Sequence, residues 1–209
     1  MTGRIIRGET CLVEGAEWLA RREPRFAHAL ELTGPLPLRL RADGFGALLG
    51  AIVSQQVSVA SARAISARLE AAGLTEQEAV ATSTEEALRS CGLSRQKIRY
   101  ALALARSDLD FAALRSLPDK AIVERLTELP GIGIWTAEIY VMFSLGRADI
   151  FAPGDLALQE SARRLFDLEE RPREKALRER AREWSPWRSV AARLLWAYYR
   201  VETDREGIA

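Results

Sequence analysis

Apolar residues recur at three- and four-residue spacing along almost the whole sequence, and no run alternates apolar and polar side chains as a half-buried strand would. That periodicity leaves few folds open: the chain has to be helices packed on helices. Breakers keep those helices short. Gly15–Arg22 reads as one helix, and Glu23-Pro24 opens a second that ends before Thr33-Gly34-Pro35-Leu36-Pro37. Phe45–Val53 reads as an apolar helix, Ser54-Gln55-Gln56 interrupts it, and Val57–Ala72 resumes until Gly73. Thr75–Val80 and Thr84–Cys91 are short helices with threonine caps, followed by Ser94–Ala105, Pro118–Leu129, Trp135–Leu145, a helix from Asp155 to Phe166, and Arg173–Glu183. Ser185 is expected to cap the last helix, with Pro186 in its first turn and an end near Glu202. Roughly ten short helices joined by short connections describe an all-α protein.

The predicted architecture is two helical lobes with a cleft between them, where small-molecule sites often lie. Residues 1–44 and 168–209 are expected to form one lobe, with the first eight residues as a loose tail. Residues 45–167 are expected to form the other, which carries a helix-hairpin-helix at 126–137.

Composition removes several classes of function. Two cysteines (Cys11, Cys91) cannot build a four-cysteine zinc or iron–sulfur site, and the single histidine, His28, excludes a histidine-cluster metal enzyme. No apolar stretch reaches the roughly 18–20 residues of a membrane span, and the N-terminus lacks the apolar core of a secretion signal. A cytoplasmic location without membrane contact is the expectation. Net charge is only +1, yet Ser161–Arg200 holds ten Arg and one Lys against six acids. That run reads equally well as a solvated helix face and as a surface for an acidic partner. Arg95 and Lys97, at a helix–turn junction, are further candidates for phosphate contact.

The most specific local signal is Leu126-Thr127-Glu128-Leu129-Pro130-Gly131-Ile132-Gly133-Ile134-Trp135-Thr136-Ala137. Glycines here permit positive φ and let a ligand approach the backbone. The helix that opens just afterwards presents unbonded N–H groups and the positive end of its dipole. A phosphate fits such a site without any base being read. An ordinary tight turn between two helices would look similar. About twenty residues further, Pro153-Gly154-Asp155 begins another helix. Asp155 reads as an N-cap, usually worth about 1 kcal/mol. Helix N–H groups also favour a charged carboxylate there, and such a charge could stabilise a positive sugar centre or activate a water.

Three segments in this order, Ala51-Ile-Val-Ser-Gln-Gln-Val-Ser-Val-Ala60, the hairpin through Asp155, and Trp184-Ser-Pro-Trp-Arg-Ser189 with Trp196, resemble the helix-hairpin-helix DNA glycosylase superfamily. Within it the sequence is most similar to the 3-methyladenine DNA glycosylase II family, over about residues 45 to 200. The resemblance implies an enzyme that flips a damaged base out of duplex DNA and hydrolyses its N-glycosidic bond. It places the catalytic carboxylate on Asp155 and the phosphate contacts on Gly131, Gly133 and Thr136. It places the wedge that fills the vacated stack at Gln55-Gln56, on Gln56 in particular, where apolar wedges are the more usual choice.

The base pocket maps to Trp135 and Trp196, with Tyr140 beside them, since aromatic faces favour cationic rings. Trp135 also shares a helical face with Ile139 and Met142, which reads as core. Trp184 and Trp187 are expected to pack between helices. Superfamily members that also cut the strand carry a Schiff-base Lys where this chain has Trp135, so the resemblance implies a monofunctional enzyme. It implies no cofactor beyond a monovalent cation on the carbonyls of Thr127, Leu129 and Ile132, and a monomer. The family's larger bacterial member has an extra N-terminal α/β domain, for which this sequence is too short; the catalytic core alone is expected. Two other readings stay open: a glycosylase for other damaged or mismatched bases, and a non-catalytic DNA-binding module.

Overall fold

A computed structural model describes residues 3–203 and contains thirteen α-helices and one 3₁₀ helix. Among the described residues the only β feature is an isolated antiparallel bridge between Ile5 and Arg147. The all-α expectation holds. No described helix is long and apolar enough to cross a membrane. The chain divides into two compact units, one formed by the residues up to Leu40 with those from Val141, the other by Arg41–Tyr140.

The first unit contains α1 (Glu9–Arg22), α2 (Pro24–Thr33), α11 (Leu156–Leu165), α12 (Glu174–Arg180), the 3₁₀ turn Ala181–Trp184 and α13 (Arg188–Thr203). Every residue of α13 from Ser189 to Tyr198 is buried, so this helix is the unit's centre rather than an amphipathic wall. α1, α2 and α11 pack around it. Ser161 of α11 donates its hydroxyl to the Leu195 carbonyl at 2.6 Å, fixing the register of α11 on α13. Phe26, Phe151 and Phe166 surround Trp184 with ring centroids 5.2–5.8 Å away. Trp184 and Trp187 are both buried.

The second unit holds α3 (Phe45–Ser54), α4 (Val59–Ala71), α5 (Gln77–Thr82), α6 (Glu85–Ser90), α7 (Arg95–Ala105), α8 (Phe111–Leu114), α9 (Asp119–Thr127) and the first turns of α10 (Ile134–Phe143). Leu48, Ile52, Val80, Leu88, Ile98, Ala101, Ile122 and Leu126 make its core.

Several local expectations are corrected. Met1 and Thr2 lie outside the described residues, but the stretch after them is no loose tail: Ile6 donates to the Gly146 carbonyl at 2.7 Å, Ala148 donates to that of Arg4 at 2.9 Å, and Ile6 is buried. α1 starts at Glu9 rather than Gly15. The unit boundaries fall after Leu40 and Tyr140, not after residues 44 and 167, because α11 packs on α13. α4 begins at Val59 rather than Val57, with Ser58 as its cap, the hydroxyl accepting from the Ser61 N–H at 3.1 Å. Thr84 caps α6 as expected, but Thr75 caps nothing and α5 has no side-chain cap. The four-residue α8 was not anticipated; Asp110 caps it by accepting from Ala112 and Ala113. Ser185 caps no helix. Its hydroxyl bonds Asp149 at 2.8 Å, and α13 opens only at Arg188.

Candidate functional site

The first unit positions the carboxylate. Asp155 is the N-cap of α11, and its Oδ1 accepts the Leu158 N–H at 2.9 Å. The same oxygen accepts the indole N–H of Trp196 at 3.0 Å. Asp155 is 7% exposed and Trp196 3%. A buried carboxylate is costly unless hydrogen bonds satisfy it, and these two fix its orientation. Gly154 and Pro153 lead the chain into the cap, and Gln159 bonds back to the Pro153 carbonyl at 2.8 Å.

Behind the indole lies a ladder that the sequence did not announce. Phe143 packs on Trp196 with centroids 5.7 Å apart, and the Arg193 guanidinium sits 4.6 Å over the Phe143 ring. Arg193 donates to the Ser189 carbonyl at 3.0 Å. Burial, with the Arg39 charge nearby, lowers its pKa to about 10. The one available signal was an arginine inside the apolar run Ala191-Ala192-Arg193-Leu194-Leu195.

The second unit presents the hairpin. α9 ends at Thr127, and Glu128–Gly133 form the turn into α10. Ile132 donates to the Leu129 carbonyl at 3.1 Å, and the Gly133 carbonyl accepts from Ala137 at 3.0 Å. Gly131 has φ +89°, and a Cβ on it would lie 2.3 Å from the Tyr100 ring, so only glycine fits. A Cβ on Gly133 would meet nothing within 4 Å, so that side of its backbone is open to a ligand. Thr136 is buried, whereas Ile134 and Trp135 are 52% and 40% exposed. Trp135 therefore stands apart from the buried Ile139 and Met142, with which it shares a helix face. Tyr140 is buried, and its hydroxyl accepts the Gly44 N–H at 2.9 Å. Burial raises the Tyr140 pKa, against the Gly44 bond, which lowers it.

The Gln55-Gln56 loop lies between α3 and α4 in the same unit. Gln56 is exposed with φ +54°. Gln55 turns back, and its Nε2 donates to the Gly131 carbonyl at 2.8 Å. Both line a hollow of about 240 Å³ with Ser94, Gln96, Lys97 and Tyr100. Lys97 is a poor phosphate ligand: it is buried, and its Nζ donates to the Val53 carbonyl near the end of α3 at 2.7 Å. Desolvation lowers its pKa. Half of the ten arginines in the basic stretch make ion pairs, Arg163 and Arg164 with Glu160, Arg178 with Glu174, Arg182 with Glu179 and Arg188 with Asp149.

The structure thus brings Asp155 and Trp196 together in one unit. Gly131, Gly133, Thr136, Gln55, Gln56, Trp135 and Tyr140 belong to the other. Sequence reasoning missed Tyr100 and Arg193 altogether.

Comparison with known proteins gives a consistent result. The family model for HhH-GPD superfamily base excision DNA repair proteins matches residues 49–186. A Bacillus halodurans DNA-3-methyladenine glycosidase structure superposes with TM-score 0.81 at 31% identity, covering 96% of this chain and 94% of that one. The Schizosaccharomyces pombe 3-methyladenine DNA glycosylase Mag1, solved in complex with abasic DNA, gives TM-score 0.73 at 25% identity, covering 90% and 95%. Schizosaccharomyces pombe DNA-3-methyladenine glycosylase 1 is 30% identical over 71% of this chain and 69% of its own length. The chain spans less of other curated relatives, 60% of one from Bacillus subtilis and 57% of one from Escherichia coli. On the family match and these similarities, the chain belongs to the HhH-GPD superfamily of base excision DNA repair proteins.

Proposed function

We propose that this chain is a monofunctional DNA glycosylase that removes alkylated purines, 3-methyladenine among them, from duplex DNA and leaves an abasic site. The observation that carries the reading is the buried carboxylate of Asp155, held by its own helix cap and by the Trp196 indole in a chain that also carries the hairpin. The relatives named for 3-methyladenine excision, and the one bound to abasic DNA, support it.

Alkylation of a purine ring nitrogen makes the base cationic. When the bond from C1′ to the base nitrogen breaks, its electron pair neutralises the ring, so the leaving group needs little protonation. Positive charge develops on the sugar, and the Asp155 carboxylate stabilises it. Water then forms the new C1′–O bond, and its proton passes to the carboxylate. Trp135 occupies the hairpin position where a Schiff-base lysine would stand, which supports water as the nucleophile and no strand cleavage. Gly133 and the start of α10 hold a backbone phosphate, Gln56 fills the vacated stack, and the exposed Trp135 offers an aromatic face to an electron-poor base.

The hairpin carbonyls of Thr127, Leu129 and Ile132 fit a monovalent cation in kind, being neutral oxygen donors within one turn. Such an ion would stiffen the turn that holds the phosphate.

The test is base release from methylated duplex DNA by wild-type protein and by Asp155→Asn. Free 3-methyladenine, with strand breaks only after alkali and none of either from the variant, is the expected result. Release from oxidised or deaminated DNA instead would move the substrate class. Salt-sensitive DNA binding without any product would make the chain a binding module.

A further inference from the structure

Gln55 reads from the sequence as half of the wedge, but its side chain serves another element. Its Nε2 donates to the Gly131 carbonyl at 2.8 Å, so the loop after α3 is tied directly to the hairpin. From another side Tyr100 of α7 covers Gly131, where a Cβ would lie 2.3 Å from the ring. The Tyr100 hydroxyl is itself fixed by the Gln96 amide at 2.6 Å. Gly131 is thereby clamped by two segments of its own unit.

The next residue is the exposed Gln56, whose φ of +54° is a conformation that a non-glycine residue keeps only where its surroundings enforce it. Gln55 supplies that enforcement at both ends: its N–H bonds the Ile52 carbonyl at 3.3 Å, and its side chain grips the hairpin. We infer that Gln55 is a positioning residue, which locks the probing side chain Gln56 in fixed register with the phosphate-binding turn. A hairpin seated on the DNA backbone then presents Gln56 to the base stack without a further search, and the ordering cost of the loop is met before DNA arrives. This inference rests on the DNA-excision reading of the same unit.

The test compares wild type, Gln55→Met, Gln55→Glu, Gln56→Ala and the double variant Gln55→Met with Gln56→Ala. The probes are a duplex carrying a tetrahydrofuran abasic analogue and single-stranded DNA of the same sequence. Loss of one hydrogen bond predicts about three- to tenfold weaker duplex binding by Gln55→Met, with single-strand binding unchanged. In the Gln56→Ala background the same substitution should add little. Gln55→Glu places an acceptor against the Gly131 carbonyl and should regain affinity as the pH falls and its carboxyl becomes a donor, a rescue that a packing defect would not show. Hydrogen exchange at the Ile132 and Gly133 amides should quicken in Gln55→Met. Unchanged duplex affinity, or a loss that multiplies in full with that of Gln56→Ala, overturns the positioning role. Wild type that holds abasic and undamaged duplex alike and frees no base would sink the excision reading instead. Faster hairpin exchange with weaker duplex binding would then still support the coupling.

Discussion

Replacing Asp155 by Ala and by Asn separates what its carboxylate does for the fold from what it does for chemistry. Ala removes the acceptor for the Leu158 N–H at the start of α11, a cap worth about 1 kcal/mol. It also strands the indole N–H of Trp196, which is 3% exposed, and an unpaired buried donor costs roughly 1–3 kcal/mol. Together the loss is about 2–4 kcal/mol, which for a chain of this size lowers Tm by roughly 4–16 °C. Asn keeps an oxygen at the Oδ1 position for both donors and caps a helix as well as Asp, so its Tm should lie within about 2 °C of wild type. Excision should behave in the opposite way, with Asn as inactive as Ala because only the charge has gone. The assay is a thermal melt by circular dichroism beside base release from methylated duplex. An Asn variant that melts as low as Ala would refute the hydrogen-bond accounting, and one that excises at the wild-type rate would refute the need for charge.

Two further substitutions and a pH series probe the rest. Gly131→Ala should destabilise by about 2 kcal/mol or more, since it meets both a positive φ and the Tyr100 ring. Gly133→Ala should leave Tm alone and weaken duplex binding; an equal Tm loss at both positions would show that the turn, not ligand access, demands its glycines. On the acid side, the Arg163 hydrogen bond, aided by Arg164 and opposed by burial, lowers the Glu160 pKa to about 2. For Asp149 burial pushes upward, but hydrogen bonds from Arg188 and Ser185 and the Arg188 charge outweigh it, and its pKa is lowered too. Both groups bind protons more weakly folded than unfolded, so their stabilisation is present above the ordinary carboxylate range and fades as the pH falls through the lowered folded values, about 2 for Glu160. Solvent screening limits the Glu160 share to about 1 kcal/mol. Glu160→Gln should therefore narrow the Tm difference between pH 6 and pH 3, and an undiminished difference would discount the pair.

The elements legible in the sequence were those with local causes. Thr84 and Asp155 each cap the helix they precede, because a cap bond spans only two or three residues. The hairpin and Asp155 were readable for the same reason: a turn between helices and a capped helix start each write their needs into a few adjacent positions. What joined distant segments was not readable. The Ile5–Arg147 bridge turned an expected tail into structure, and the packing of α11 on α13 moved a unit boundary. Five tryptophans look alike in a one-dimensional string; only tertiary packing gave Trp196 the Asp155 carboxylate as its partner and left Trp135 exposed. Gln55 and Gln56 are identical neighbours, yet opposite backbone geometry sends one to Gly131 and leaves the other exposed. Sequence by itself determined most of the helices, though not all their starts nor the short α8, together with the turn and the carboxylate, since hydrogen bonds a few residues long decide them. The partners of those groups were decided only by the tertiary structure, because burial and contact depend on chain segments that local sequence cannot bring together.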